Sequence, residues 1–201
     1  MVGKRQVTIA PIGGTGMAGK GDQDFDDMFE LLYGITPEGY KSEIVGGAIL
    51  MSPPRHTHWA VIRDVLLQLE ARFGEDSLVE CDVRLDLPGY RNGFVPDLFK
   101  PADGAEMDAK GKWRYQDVEF VFEVISRETA DNDYGRKKAA YAAGDVPVYV
   151  IADPYTGQCH VHTVPKDGEY RANRTLDFGD PVDLSDTPLG LVLATGKFPR
   201  D

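Results

Sequence analysis

Two acidic residues stand where the chain otherwise reads as apolar strand: Asp97 in Phe94-Val-Pro-Asp-Leu-Phe99 and Glu123 in Val118-Glu-Phe-Val-Phe-Glu-Val-Ile125. A carboxylate withdrawn from water costs several kcal/mol unless it is paired, hydrogen-bonded or bound to a metal. Strand alternation puts Val95, Asp97 and Phe99 on one face, and Glu119, Val121, Glu123 and Ile125 on another. If the two strands are neighbours, the acids converge. At about 4 Å two such charges repel by roughly 4 kcal/mol at an effective dielectric of about 20. Either one of them keeps a proton or a cation sits between them, and a divalent cation is the favoured expectation.

Downstream, Ser126 to Gly144 reads as a polar turn followed by a helix that Gly144 closes. Tyr134, Lys137, Lys138 and Tyr141 share one face of it. A helix leaving the end of the Glu123 strand can swing an ammonium back over that strand end. Two acids and a lysine suit phosphodiester hydrolysis: a hard cation polarises a phosphate oxygen and activates water, and the lysine balances the developing negative charge. The plain structural alternative is a buried acid pair satisfied by Arg84, Arg127 or backbone N–H groups. Spacing alone leaves open whether Lys137 or Lys138 faces the acids, and whether Glu119 is a further ligand or a solvent-facing neighbour.

The elements that must position these groups follow from pattern. Asp22, Asp24, Asp26 and Asp27 lead into a short helix through Leu32. Lys41 to Val45 and Ala48 to Ser52 read as strands joined at Gly46-Gly47, and Pro53-Pro54 ends that unit. His56 to Phe73 follows as an amphipathic helix with Trp59, Ile62, Val65, Leu66, Leu69 and Phe73 on its apolar face, stopped at Gly74. Residues 79 to 87 alternate as a half-buried strand, and residues 100 to 117 form a polar loop. Val146 to Ala152 is an apolar run suited to a central strand, and residues 158 to 176 form a hairpin around Lys166-Asp-Gly168. Antiparallel strands before a strand-helix-strand crossover predict an α/β sandwich around a mixed sheet.

Several of these segments, in this order, resemble the Uma family of restriction-endonuclease-like proteins within the PD-(D/E)XK nuclease superfamily. They are Glu43 to Ile49 with Met51-Ser-Pro-Pro-Arg-His56, Pro96-Asp97, Glu123-Val-Ile-Ser126 with Thr129, Asp133-Tyr-Gly-Arg-Lys137 with Tyr141, Gly144 to Tyr149, and Asp153-Pro154. The likeness runs over roughly residues 25 to 198, and its strength lies in the co-occurrence of many short motifs. It implies a restriction-endonuclease-like mixed β-sheet sandwiched by helices, and a magnesium- or manganese-dependent endonuclease acting on DNA. By position, Asp97, Glu123 and Lys137 match the catalytic set; Asp97 and Glu123 would be the metal ligands, joined by the Val124 carbonyl, and Glu43 would anchor a second metal or orient water. Ile125 stands where the superfamily commonly has its lysine, which implies that the lysine has moved to the helix. Where the family often has Glu-Leu-Ile-Asp-Gly-Glu, this chain has Glu43-Ile-Val-Gly-Gly-Ala48 and keeps only the first acid. A catalytically degenerate binding or assembly module on the same fold is the alternative.

At 201 residues the chain fits a single domain over 23–201 behind a flexible Gly-rich leader at 1–22. Hydrophobic residues at 42% and charged residues at 27% are near the globular average, which excludes wholesale disorder. No apolar run is long enough to span a membrane and the first residues lack a signal-peptide core, so a cytoplasmic protein without membrane contact is expected, with a homodimer allowed. Cys81 and Cys159 read as reduced thiols. A net charge of −11 argues against a general nucleic-acid coat protein without excluding a nuclease, since a metal offsets charge locally. Basic residues gather at Lys110 to Arg114 and Arg136 to Lys138, as a DNA contact or as solvated surface. Gly14 to Lys20 looks like a phosphate loop but continues with Gly21 where a magnesium-binding Ser or Thr is needed. His160 and His162 could share a strand face and bind zinc with a carboxylate.

Overall fold

The computed structural model describes residues 18–127 and 129–201. Its helices are α1 (Ala18–Ile35), α2 (His56–Phe73) and α3 (Lys138–Ala143). The strands are β1 (Lys41–Val45), β2 (Ala48–Ser52), β3 (Leu85–Leu87), β4 (Asn92–Phe94), β5 (Leu98–Pro101), β6 (Trp113–Arg114), β7 (Val118–Val124), β8 (Val148–Asp153), β9 (Gln158–Lys166), β10 (Glu169–Asp177), β11 (Val182–Leu184) and β12 (Leu191–Leu193). The mixed α/β architecture expected from the pattern is present, with its strands divided between two five-stranded sheets in the orders β2-β1-β4-β3-β6 and β10-β9-β8-β7-β5, beside a small β11-β12 pair. Each large sheet is mixed: β3 and β6 run parallel in the first, and β7 and β8 run parallel in the second.

Local chemistry explains most boundaries. Gly46 and Gly47 both have positive φ, 59° and 80°, as a two-residue hairpin with the right twist requires, and the β1–β2 register places Val45 opposite Ala48. The helix α2 ends at Gly74, whose N–H donates to the Glu70 carbonyl at 2.8 Å. Its Val61, Ile62, Val65 and Leu69 are buried, whereas Trp59, which the periodicity assigns to the same apolar face, is 54% exposed. The strand β7 is covered on both sides. Phe120, Phe122 and Val124 join the core beneath α2, and Val121 and Ile125 join a second core with Phe94, Tyr141 and Tyr149. The crossover from β7 through α3 to β8 supplies the parallel pair.

Three expectations change. The first helix begins at Ala18 rather than at the acidic run, so residues 18–22 of the anticipated leader are helical, while residues 1–17 and most of the phosphate-loop-like segment lie outside the described residues. The strand anticipated over residues 79 to 87 is reduced to β3: Asp82 takes a φ of 55°, which breaks the extended run, and Glu80 makes only an isolated bridge to Phe99. The polar loop over 100 to 117 contains β6 and a buried Lys100 that pairs with Asp103 and Glu119. Among the described residues no helix is long and apolar enough to cross a membrane.

Candidate active site

Asp97 lies between β4 and β5, where the chain passes from the first sheet to the second after Val95-Pro96. Proline cannot donate to a ladder, and the break turns the Asp97 side chain toward β7. Antiparallel pairing sets Leu98 opposite Phe122, so Asp97 comes beside Glu123. The Val124 N–H donates to Asp97 Oδ2 at 2.7 Å, and the Asp97 N–H lies 3.4 Å from Glu123 Oε2. The two strands are neighbours and the acids converge.

A lysine stands on each side of this pair. Lys41, projecting from β1, donates to Asp97 Oδ1, and its Nζ is 3.8 Å from Glu123 Oε2. Lys137 Nζ is 2.8 Å from Glu123 Oε1, 2.9 Å from Glu43 Oε2 and 3.1 Å from Asp133 Oδ1. The Tyr141 hydroxyl adds a hydrogen bond to Glu123 Oε1 at 3.2 Å. Asp133 and Lys137 are four residues apart and reach inward together from the π-helical turn Asn132–Lys137, which runs into α3. Such a turn is costly in backbone geometry and recurs at functional sites.

Glu43, Asp97, Glu123 and Asp133 are all buried, and they share two ammonium groups, Lys41 and Lys137. Fully ionised, the cluster carries an excess of two negative charges. Burial pushes the Glu123 carboxyl up to about 8 despite the pull of Lys137 and Lys41, and pushes Asp133 up to about 6 despite Lys137. For Asp97 burial acts the same way, but the Lys41 ammonium and the Val124 N–H outweigh it and hold the group below its ordinary value. Burial disfavours the charge on Lys137, yet Asp133, Glu123 and Glu43 hold its pKa well above the usual one. Asp97 is therefore the firmly ionised acid, and Glu123 takes up the first proton.

The structure places the anticipated residues as follows. Asp97, Glu123 and Lys137 meet in one cluster. Glu43 belongs to it on the Lys137 side, accepting the Val95 N–H at 3.3 Å. Lys138 lines a separate cavity with Tyr134 and Tyr170, so Lys137 is the lysine that faces the acids. Arg84 pairs with Asp26 and Asp86, and Arg127 lies over the Tyr155 ring, so neither meets the acid pair; of the partners the structural alternative named, backbone N–H groups do, at Val124 to Asp97 and Asp97 to Glu123. Glu119 pairs with Lys100 outside the cluster. Lys41 and Asp133 were missed, although both carried a signal: Lys41 is two residues from Glu43 on one strand face, and Asp133 is one helical turn before Lys137.

A cavity of about 480 Å³ opens onto the cluster through Lys41 and Asp97, with His58 and Asp82 in its wall. His58 Nε2 donates to the Ile125 carbonyl at 2.8 Å, and burial lowers its pKa. Among the described residues no three His, Cys, Asp or Glu side chains form a metal-ligand arrangement. The pair Asp97 and Glu123 nevertheless presents two hard oxygens to one cation position, where the Lys41 ammonium lies. That donor set fits magnesium, which is typically held by one or two carboxylates and keeps several water ligands. The histidine pair takes other partners. His160 Nδ1 is 3.2 Å from Thr175 Oγ1, His162 Nδ1 is 2.6 Å from Asn173 Oδ1, and burial draws His162 down to about 4. Both cysteines are free thiols.

Comparison with known proteins agrees with this arrangement of elements. A crystal structure described as a "putative nuclease belonging to DUF820" from Anabaena variabilis ATCC 29413 superposes with a TM-score of 0.66 over 87% of this chain and 96% of that one, at 14% identity. At that identity the likeness concerns the fold. No curated protein matches the chain. The Uma2 family model, described as "Putative restriction endonuclease", matches residues 25–196. That span takes in both large sheets, the crossover and every member of the acid-lysine cluster, and the chain belongs to the Uma2 family of restriction-endonuclease-like nucleases.

Proposed function

We propose that this protein is a metal-dependent endonuclease that hydrolyses DNA phosphodiester bonds, with Mg²⁺ or Mn²⁺ held by Asp97 and Glu123. One observation carries the reading: four buried carboxylates share two ammonium groups and, when all four are ionised, lack two positive charges, the charge of one divalent cation. Such a cation supplies charge to a phosphate oxygen and makes water nucleophilic at neutral pH. Asp97 stays ionised and contributes the permanent ligand charge. Glu123 would give up its proton on joining Asp97 in holding the cation. Lys137, held by Glu123, Glu43 and Asp133, keeps that carboxylate ionisable and complements the negative charge that develops on the phosphoryl oxygens. Glu43 positions Lys137 or serves a second metal. Lys41 is the ammonium nearest the open cavity, suited to a phosphate oxygen once the acids are otherwise matched.

The second reading, a nuclease fold retained for binding or assembly without turnover, is favoured by Lys41 itself, which already sits between the two acids. Supercoiled plasmid and single-stranded circular DNA separate the two. Under the first reading Mg²⁺ or Mn²⁺ produces nicking, Asp97→Asn removes it, and Lys137→Met lowers it by on the order of a hundredfold or more while Lys138→Met does not. Absence of cleavage of both plasmid and single-stranded circular DNA by the parent with either metal gives the lead to the binding module. Cleavage lost in Lys138→Met and kept in Lys137→Met would overturn the assignment of Lys137.

A further inference from the structure

The cavity that reaches Asp97 and Lys41 has an aromatic rim. Tyr33, Tyr40 and Trp59 all line it, and they are 51%, 40% and 54% exposed. Tyr33 comes from α1, Tyr40 from the approach to β1 and Trp59 from the first turn of α2, so three separate elements bring aromatic faces to one opening. None is needed to close the core, because Phe29 and Leu32 serve on α1 and Ile62, Val65 and Leu69 on α2. The volume of about 480 Å³ falls in the range of roughly 300–1,000 Å³ typical of small-ligand pockets. Arg55 and His58 add polar groups to the wall beside these rings.

Resting on the nuclease reading of the adjoining acids, we propose that this cavity is a nucleobase subsite that takes an unstacked nucleotide next to the scissile phosphate, so that the substrate is single-stranded DNA. An aromatic face can stack on a base only where the base has left its neighbours, and in a duplex both faces of each base are covered. The overall charge points the same way. At −11 the chain is poorly suited to track the dense phosphates of a duplex by charge alone, whereas stacking contributes about 1–3 kcal/mol per base and works with any base. The rings would hold the strand while Lys41, at the inner end of the same cavity, meets the phosphate.

Tryptophan fluorescence tests this directly, because Trp113 is buried and Trp59 is the exposed indole. Asp97→Asn protein is titrated with an oligothymidylate of roughly 16 nucleotides and with a duplex of equal length. The expected result is quenching by the single strand at lower concentration than by the duplex. For the Trp59 variants, which lack the reporting indole, binding is read from the anisotropy of a fluorescein-labelled oligothymidylate: Trp59→Ala should weaken single-strand binding by about tenfold or more, Tyr40→Ala should weaken it too, and Trp59→Phe should restore most of it. Equal affinity for duplex and single strand, with Trp59→Ala and Tyr40→Ala unchanged, overturns the subsite even if plasmid is nicked. Single-strand binding that depends on Trp59, in a parent protein that cleaves nothing, upholds the subsite and overturns only the nuclease reading. No binding of either nucleic acid overturns the subsite.

Discussion

Lys41 decides how the acid pair behaves. Its ammonium sits between Asp97 and Glu123, its side chain is 19% exposed, and it lies at the inner end of the cavity. A metal entering that position competes with a tethered cation. Lys41→Met removes the competitor and leaves two buried carboxylates less well matched, and breaking such pairs typically costs about 3–5 kcal/mol. The expected outcome is a lower melting temperature in chelator, tighter Mn²⁺ binding by calorimetry, and a larger rise in melting temperature on adding Mn²⁺ than the parent shows. Unchanged Mn²⁺ affinity in a folded Lys41→Met protein would place the metal elsewhere.

At the scale of elements, the site depends on docking one sheet and its helix against another. The strand β1 brings Lys41 and Glu43, the β5–β7 register sets Asp97, just before β5, beside Glu123 of β7, and the π-helical turn before α3 brings Asp133 and Lys137. The helix α1 packs across β1 and β4, with Phe29 and Leu32 against Ile44. That packing has little slack, because a Cβ on Gly93 of β4 would come 2.4 Å from Phe29 Cε2. Gly93→Ala should therefore lift α1 from the sheet and destabilise the protein by about 1–3 kcal/mol, as overpacked cores do. A denaturation midpoint equal to that of the parent would show that α1 yields without cost.

At the scale of the molecule, the buried charge links stability to pH and to metal. Glu123 is raised from an ordinary 4.5 to about 8, and Asp133 from 3.8 to about 6. Between those limits the folded chain holds protons that the unfolded chain has released, so this contribution is fully present below the unfolded values and is lost as pH rises through the folded ones. Asp97 runs the other way, and its contribution is lost as pH falls below about 3.8. Burial lowers His58, His160 and His162, so their contribution rises as pH climbs towards 6.5 and opposes the acids there. The melting temperature in chelator should decline from about pH 6.5 to pH 8, and Glu123→Gln should flatten that decline. Magnesium affinity should rise over the same window, with protons released on binding. A parent melting temperature that climbs steadily across it would contradict the assignment of the proton to Glu123.

Much of this was legible in the residues. The hairpin at Gly46-Gly47 and the helix from His56 to Phe73 are governed by neighbours in sequence: two positive-φ glycines in one case, and a proline pair and a glycine stop in the other. The acids Asp97 and Glu123 were conspicuous because strands seldom carry unpaired charge in their interior. Sequence did not determine which cations would face them. Lys41 and Lys137 are far apart in the chain and both reach Glu123 only because β1 lies in one sheet, β7 in another and the chain crosses between them at Pro96. Nor did periodicity place Trp59, which follows the apolar spacing of its helix yet stands beyond the edge of the core, at the mouth of a cavity. Local propensity set the elements, and long-range packing set which charges share a dielectric.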